Sequence, residues 1–502
     1  MADPLLIGID LGTTNGKVAC YDARGERLAE AARGYPTHYP RPGCVEQNPA
    51  DWRAALESAL AEVAGALGER AADVVGISLS NFGPGLVAVD AAGDPLAPCP
   101  TWQDERAQPQ GRRLIDAVGT DWIGLGSPLT GFPARLMWFV EEQPDLAAQA
   151  DQLLDIKGFL LRWLTGRAAT DPSSGPGAES WFSPAFEFAG WQVERLATVV
   201  PSTEQAGALQ AEIAERVGLP AGTPIFAGTN DGAAATLGSG VIALGDGVIT
   251  LATNGVARVI IPRRLPPDAL LTRHMFSWPY VGGHWIGGGF TFSGAGSLQW
   301  LADLFGIPRD RSAYDALLAE ASSVPPGSRG VSFLPYLAGR GTPEADPALR
   351  GGFVGVGLAH GRPELTRAVL EGVTFALAEI IDAFERQGLG AHHIRVTGGG
   401  ARSPLWRQIL ADVLNRPVSR AGGDSTLGGA VIAAVGGGLY PDLDAATGAM
   451  VRTLSHEEPD PATTAIYEDI RAFFTQTRDV MLIAPRPVET AVAPGNEEAT
   501  PT

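Results

Sequence analysis

Cysteine is scarce in this chain: Cys20, Cys44 and Cys99 are the only three among 502 residues. An odd, widely spaced set without metal-ligand spacing argues against a disulfide framework and against a zinc site, and reduced thiols suit the cytoplasm. Basic clusters are missing too. The formal net charge is −19, and no stretch gathers the cations that would displace counterions from a nucleic acid, so no nucleic-acid partner is expected. No apolar run reaches membrane-spanning length, because Asp246 and several glycines break the longest candidate. The opening MADPLLIGID has neither a basic region nor a long apolar core, so no secretion signal and no membrane partner are expected.

Familiar catalytic signatures are absent as well. Gly12 to Lys17 has the wrong spacing for a Walker loop and is followed by Val18. Gly238-Ser239-Gly240 lacks the third glycine of a dinucleotide fingerprint, and no strand carries G-x-S-x-G. A nucleotide site, if present, must use a different fold.

What the chain does contain is a lightly charged, apolar composition, 45% hydrophobic against 19% charged. Its length exceeds one ordinary core, so two α/β domains are expected, over 1–245 and 246–484, with a disordered tail over 485–502. One stretch organises the first half. LLIGIDLGTTNGKVACYD, residues 5–22, reads as a strand carrying Asp10, a small turn at Thr13-Thr14-Asn15-Gly16, and a return strand. GVITLATNGVARVI, residues 247–260, repeats the grammar around Thr253-Asn254-Gly255. A lone Asn-Gly turn carries no chemistry. Two matched turns opening the two halves suit phosphate, since small residues let backbone N–H groups converge on an anion. Asp10 beside them suits Mg²⁺ held through water.

Between and beyond the hairpins, Asn48 and Pro49 start an amphipathic helix with Trp52, Leu56, Leu60 and Val63 on one face. Residues 133–138 suit a buried helix, and DPSSGPGAES, residues 171–180, has the composition of a flexible loop. PIFAGTNDGAAATLG predicts a strand ending at Gly228 and a helix from about Gly232, leaving Thr229-Asn230-Asp231 at the junction. Asp231 there can take the proton of an attacking hydroxyl, or simply cap the helix. The longest helical pattern starts at Pro363 and stops at Gly388. Gly398-Gly399-Gly400 and Gly422-Gly423 are turns that would let backbone approach a base or a ribose, and Ser403 caps the helix after the first of them.

These motifs, in this order over about residues 5–480, resemble those of the FGGY carbohydrate kinases of the actin-like ATPase-domain superfamily. GIDLGTTNGKV is similar to the first phosphate motif, GTNDGAAATLG to the catalytic-aspartate motif, ITLATNGV to the second phosphate motif, and VTGGGARSPLWRQILADVL to the adenosine motif. Residues 132–138 and 351–371 resemble the two longer family signatures, with Arg135 where lysine is usual. The resemblance implies two ribonuclease-H-like α/β domains with ATP and a small sugar or polyol in the cleft between them, and a homodimer is compatible with it. It makes Asp231 the catalytic base, places Asp10 and Asp231 at Mg²⁺, and sets Thr13, Thr14, Lys17, Thr253 and Gly255 at the phosphates. Gly399, Gly400 and Ser403 fall to the adenosine, and Asn81, Phe82, Gly83, Trp102, Asp104, Asn230 and Asp231 to the sugar.

Two features depart from the pattern. Xylulokinases and gluconokinases usually show Met-His-Gly or Met-His-Ser where this chain has Gly83-Pro84-Gly85, and Trp102-Gln103-Asp104 with Arg106 looks like the glycerol kinase version. The expected activity is phosphorylation of a primary hydroxyl of a pentulose, with gluconate, glycerol, a tetritol or a non-sugar acceptor as alternatives. A non-catalytic nucleotide-binding regulator of the same fold is the rival from another class; it would need the hairpins but not Asp231.

Overall fold

The computed structural model describes residues 3–120, 129–175 and 183–483. The tail expected over 485–502 and residues 176–180 of the expected flexible loop lie outside the described residues.

Two sheets carry the fold. The first is built from β1 (Leu5–Leu11), β2 (Asn15–Asp22), β3 (Arg27–Gly34), β4 (Val74–Asn81), β5 (Gln205–Ala208) and β6 (Pro224–Asn230), in the order β3-β2-β1-β4-β6-β5. The second contains β7 (Asp246–Leu251), β8 (Gly255–Ile261), β9 (Phe276–Pro279), β10 (Trp285–Thr291), β11 (His393–Thr397), β12 (Val418–Ala421) and β13 (Thr453–Glu457). Its order is β9-β10-β8-β7-β11-β12-β13. In the first sheet, β3-β2-β1 is antiparallel, β1-β4-β6 is parallel, and β5 closes the edge antiparallel. From β10 to β13 the second sheet repeats every one of these relations. The chain therefore folds as a duplicated α/β unit, each copy opening on a hairpin and continuing into parallel strands. β1 and β4 are buried almost throughout, as expected of strands covered on both faces.

Helices cover both sheets. α1 (Pro49–Leu67) is capped by the Asn48 side chain, starts with proline, and lays the buried Trp52, Leu56, Leu60 and Val63 against β2 and β3. The Phe132–Glu142 helix, α2, is buried as its apolar sequence predicts. α3 spans Ile156–Thr165 and α4 spans Asp231–Gly238. α5 (Arg362–Glu385) packs on β8 and β10 with most of its circumference buried, followed by α6 (Pro404–Leu414) beside β12. α7 (Ser425–Gly436) crosses between the domains: it belongs to the second half of the chain yet packs on β1, β4 and α4 of the first.

That crossing depends on missing side chains. A β-carbon on Gly8 would sit 1.8 Å from the carbonyl oxygen of Thr426, one on Gly238 1.9 Å from that of Asp424, and one on Gly428 2.0 Å from that of Ala234. Gly423, read from sequence as a turn open to a base or a ribose, instead lets the Gly238 carbonyl oxygen come within 2.0 Å of its β-carbon position. Backbone meets backbone where α4, α7 and β1 converge. Gly8→Ala should therefore destabilise the fold by about 1–3 kcal/mol through overpacking that backbone cannot relieve. Gly65→Ala, in the exposed interior of α1 with no neighbouring atom within 4 Å of the new methyl, should stabilise by about 0.5–1 kcal/mol. Urea unfolding of the two variants checks both signs.

Candidate active site

Two carboxylates from different elements share one field. Asp10, near the end of β1, accepts hydrogen bonds from Ser80 Oγ at 2.5 Å and from Ser425 Oγ at 2.6 Å, so the first residue of α7 reaches across to the first strand. Burial raises its pKa above the ordinary carboxylate value against the pull of those serines, and the negative charge of Asp424 adds to the rise. Asp231, the partly exposed first residue of α4, has its pKa pushed up to about 6, first by burial and next by the charge of Asp10. The Gly232 N–H, Arg258 and Lys157 act in the opposite direction.

The plainer reading of Asp231 as a helix cap does not hold. Asn230 caps α4, its Oδ1 accepting from Ala233 N at 2.7 Å, and among the described residues Asp231 accepts only from Gly232 N, at 2.6 Å. β6 delivers this geometry through an irregularity between Phe226 and Thr229, where Gly228 adopts φ +75 and a β-carbon would lie 1.9 Å from the Leu79 carbonyl oxygen. The cap leaves Asn230, expected at the sugar, with little to offer a ligand. Its Nδ2 is donated to the Ser173 carbonyl at 3.1 Å.

The first hairpin turns over Gly12–Thr14, one residue earlier than the sequence suggested, with Gly12 N donating to Asn15 O at 2.9 Å. Gln47 holds the tip by donating to the Thr13 carbonyl at 2.7 Å and is itself held by Trp52 Nε1 at 2.9 Å, while Tyr35 donates to the Gly12 carbonyl. Thr14 is exposed at the apex. Lys17, expected at the phosphates, is engaged elsewhere. It stands opposite Asp10 in the β1–β2 pair, on the face that α7 covers, and its Nζ meets Asp424 at 2.6 Å and Glu30 at 3.2 Å. The second hairpin is fixed by Gly294 and Gly296, whose N–H groups donate to the Thr253 carbonyl at 2.9 and 3.1 Å. Thr253 is exposed, and Gly255 is small because a β-carbon would come 2.7 Å from Thr291. At the turn expected to take the adenosine, Gly399 has no neighbouring atom within 4 Å on its β-carbon side, whereas Gly400 is closed in by Leu251 and Trp406. The Ser403 hydroxyl accepts from Trp406 N at 3.2 Å as the cap of α6.

The residues expected at the sugar divide into an open set and a supporting set. Trp102 is 46% exposed and donates from Nε1 to Thr13 Oγ1 at 3.2 Å, which ties this loop to the first hairpin. Asn81 is buried with Nδ2 on the Phe82 carbonyl and, among the described residues, no partner at Oδ1, and Gly83 follows it into the turn. Phe82 is core, edge-on to Trp52 with ring centroids 5.7 Å apart. Asp104 is corrected from sugar ligand to scaffold: its carboxylate is buried and taken by Val45 N at 2.6 Å and by Arg106, whose Nη2 lies 2.7 Å away. Arg135 explains its own departure from lysine. Fully buried, it donates to the carbonyls of Thr130, Pro100 and Asp104 at 2.7, 3.2 and 3.3 Å, clamping both ends of the Trp102 loop as a single ammonium could not.

Three groups beside Asp231 escaped the sequence reading. Lys157 in α3 is completely buried, 2.9 Å from Asp171, and donates to the carbonyls of Leu79 and Thr229. Residues 171–175 are therefore no flexible loop: Asp171 and Ser173 are buried, and Ser173 Oγ bonds Asp171, Thr229 and the Asn230 N–H. A lone lysine in the apolar stretch IKGFLLRWL was the available signal. Arg258 in β8 and Trp278 in β9 come from the second domain, and both flank Gly232, the residue after Asp231. Among the described residues there is no group of three or more His, Cys, Asp or Glu able to hold a metal. Two carboxylates with water and phosphate oxygens suit Mg²⁺, which keeps most of its hydration, and the open face of Gly399 fits a flat ring.

The N-terminal domain profile of the FGGY family of carbohydrate kinases matches residues 5–238, and the C-terminal domain profile matches residues 264–437. The xylulose kinase of Lactococcus lactis is 32% identical, covering 94% of this chain and 96% of that protein. A gluconokinase of Bacillus subtilis is 29% identical over 90% of this chain and 91% of its own length. The crystal structure of xylulose kinase from Rhodospirillum rubrum superposes with a TM-score of 0.84 at 28% identity, covering 95% of this chain and 99% of that one. Among the described residues no helix is long and apolar enough to cross a membrane.

The buried pair beneath the site is open to a direct test. Lys157→Met should cost about 3–5 kcal/mol, because Asp171 is left buried without its counter-charge. Adding Asp171→Leu should restore much of that loss in denaturant titrations.

Proposed function

The chain belongs to the FGGY family of carbohydrate kinases, and from that premise we propose that it transfers the γ-phosphoryl group of ATP to a primary hydroxyl of a pentulose. Asp231 is the base. It is not spent on capping, it is partly exposed, and its raised pKa of about 6 leaves it ionised at neutral pH yet close enough to accept a proton. That single observation carries the reading. As the acceptor oxygen bonds to the γ-phosphorus, its proton passes to an Asp231 carboxylate oxygen and the bond to the leaving ADP breaks.

The remaining residues bind and orient. Asp10, with Asp231, would hold Mg²⁺, which neutralises phosphate charge when bound. The hairpin N–H groups near Thr13, Thr14, Thr253 and Gly255 face the phosphates, and the Gly399 turn takes the adenosine. Lys17 is left to act through Asp424 and α7. On the acceptor side, Trp102 offers an apolar face to the carbon chain. Asn81 lies buried beneath the Gly83-Pro84-Gly85 turn with Nδ2 on the Phe82 carbonyl, and so shapes that wall of the acceptor site from inside. The relatives named xylulose kinase and gluconokinase favour a polyhydroxylated chain of five or six carbons.

Asp231→Asn should lower kcat by about 10²–10⁴-fold while ADP affinity stays within about threefold. In the parent enzyme kcat/KM should fall as the pH drops through about 6, because Asp231 becomes protonated there. Stability should move the other way. A carboxylate whose folded pKa lies above its unfolded value destabilises the fold once both states are ionised, so Asp231→Asn should be the more stable protein at pH 7.5. That advantage should shrink as the pH falls below about 6. Coupled ATP-consumption assays with D-xylulose, D-ribulose, gluconate, glycerol and erythritol identify the acceptor. No stimulation by any of them would favour a nucleotide-binding regulator instead.

A further inference from the structure

We propose that Arg258 is a further catalytic residue, its guanidinium touching the phosphoryl group as that group passes from ATP to the acceptor. The inference rests on the kinase reading above and adds a cationic partner from the second domain to the carboxylates of the first.

The geometry points there in three ways. First, one face of the second sheet carries a polar row. Thr397, the last residue of β11 before the Gly398–Gly400 turn, lies 3.1 Å from Thr250 on β7 (Oγ1 to Oγ1), and Thr250 Oγ1 accepts from Arg258 Nη1 at 3.1 Å. The row leads from the adenosine turn to the catalytic aspartate. Second, Arg258 is held without being neutralised. It bonds the neutral Thr250, its buried Nε has no partner, and among the described residues no carboxylate lies within 4.0 Å of it. Third, it stands at Asp231 all the same. A β-carbon on Gly232 would be 3.5 Å from Arg258 Nε and 2.9 Å from the Trp278 ring, which itself stacks on Phe276 at 4.3 Å.

A guanidinium near the base, but not paired with it, leaves a gap between opposite charges. In phosphoryl transfer the acceptor hydroxyl meets the base while the equatorial oxygens of phosphorus carry negative charge beside it. The bond from acceptor oxygen to phosphorus forms, the bond to the bridging oxygen breaks with its electron pair leaving on ADP, and the proton goes to Asp231. Arg258 exchanges no proton. It supplies hydrogen bonds from the Nη side of the guanidinium to charge that is spread over the phosphoryl oxygens only in transit. A cation there also favours the ionised form of Asp231.

The test uses the full chain with Arg258→Met and Arg258→Lys, each checked for a native thermal transition. Kinetics with the best acceptor are paired with equilibrium binding of ADP alone and of ADP with magnesium and aluminium fluoride, a mimic of the phosphoryl in transit. Arg258→Met should lose about 10²–10³-fold in kcat with acceptor KM and ADP affinity within about threefold. It should also lose the extra affinity that the fluoride confers on the parent, and Arg258→Lys should recover part of both. Unchanged kcat and unchanged fluoride binding in Arg258→Met would overturn the proposal while leaving the kinase reading intact. A defect confined to the KM of acidic acceptors such as gluconate would also overturn it, assigning Arg258 to an acceptor carboxylate. If Arg258→Met does not fold, Arg258→Lys and Arg258→Gln carry the same comparison. A parent enzyme inert toward every acceptor would overturn both readings together.

Discussion

The contact on which the rest of the structure depends is the seam where α4, α7 and β1 meet with no side chain between them. Gly8, Gly238, Gly423 and Gly428 each bring a backbone carbonyl oxygen to within about 2 Å of where a β-carbon would be. Helices normally keep about 8–10 Å between axes because side chains interpose, so removing those side chains lets two domains share one dense core. The seam also sets the chemistry. α7 starts with Ser425 on the Asp10 carboxylate, and α4 starts with Asp231, so the helices that join the domains place both carboxylates.

Burial is the second constraint, and it acts with opposite sign on different groups. Asp10 and Asp231 are both raised by desolvation, Asp10 further by Asp424 and Asp231 further by Asp10, while Lys157 is lowered by desolvation against the opposing pull of Asp171. A closed ion pair beneath the site and a poised carboxylate above it are consistent with one principle. Charges whose partners are complete hold structure, and a charge whose partner is absent is available for reaction. Asp104 and Lys17 belong to the first kind, Asp231 and Arg258 to the second.

Much of the architecture was legible in the residue order. The two Thr-Asn-Gly hairpins, the strand–helix junction before Asp231, the Asn48 and Ser403 caps and the long buried helix from Pro363 all appear close to where their patterns put them. Local rules suffice there because turns, caps and periodic faces are decided by neighbours a few residues away. Composition misled at 171–175, where serine, glycine and aspartate suggested mobility but serve as buried hydrogen-bonding groups around Lys157. At Gly423 the small size has a long-range cause as well, since the Gly238 carbonyl oxygen at the end of α4 lies where a β-carbon would be.

By itself, then, the order of residues determined an α/β chain with two matched Thr-Asn-Gly hairpins and a carboxylate at a strand–helix junction, because each of these is written in short-range pattern. Only the tertiary structure decided which polar groups remain free. Asn230 rather than Asp231 caps the helix, Asp104 is consumed by Val45 and Arg106, and Arg258 reaches Asp231 from the other domain. The physical reason is that a side chain's availability is what remains after every neighbour has made its hydrogen bonds and ion pairs. Most of those neighbours lie tens to hundreds of residues away along the chain.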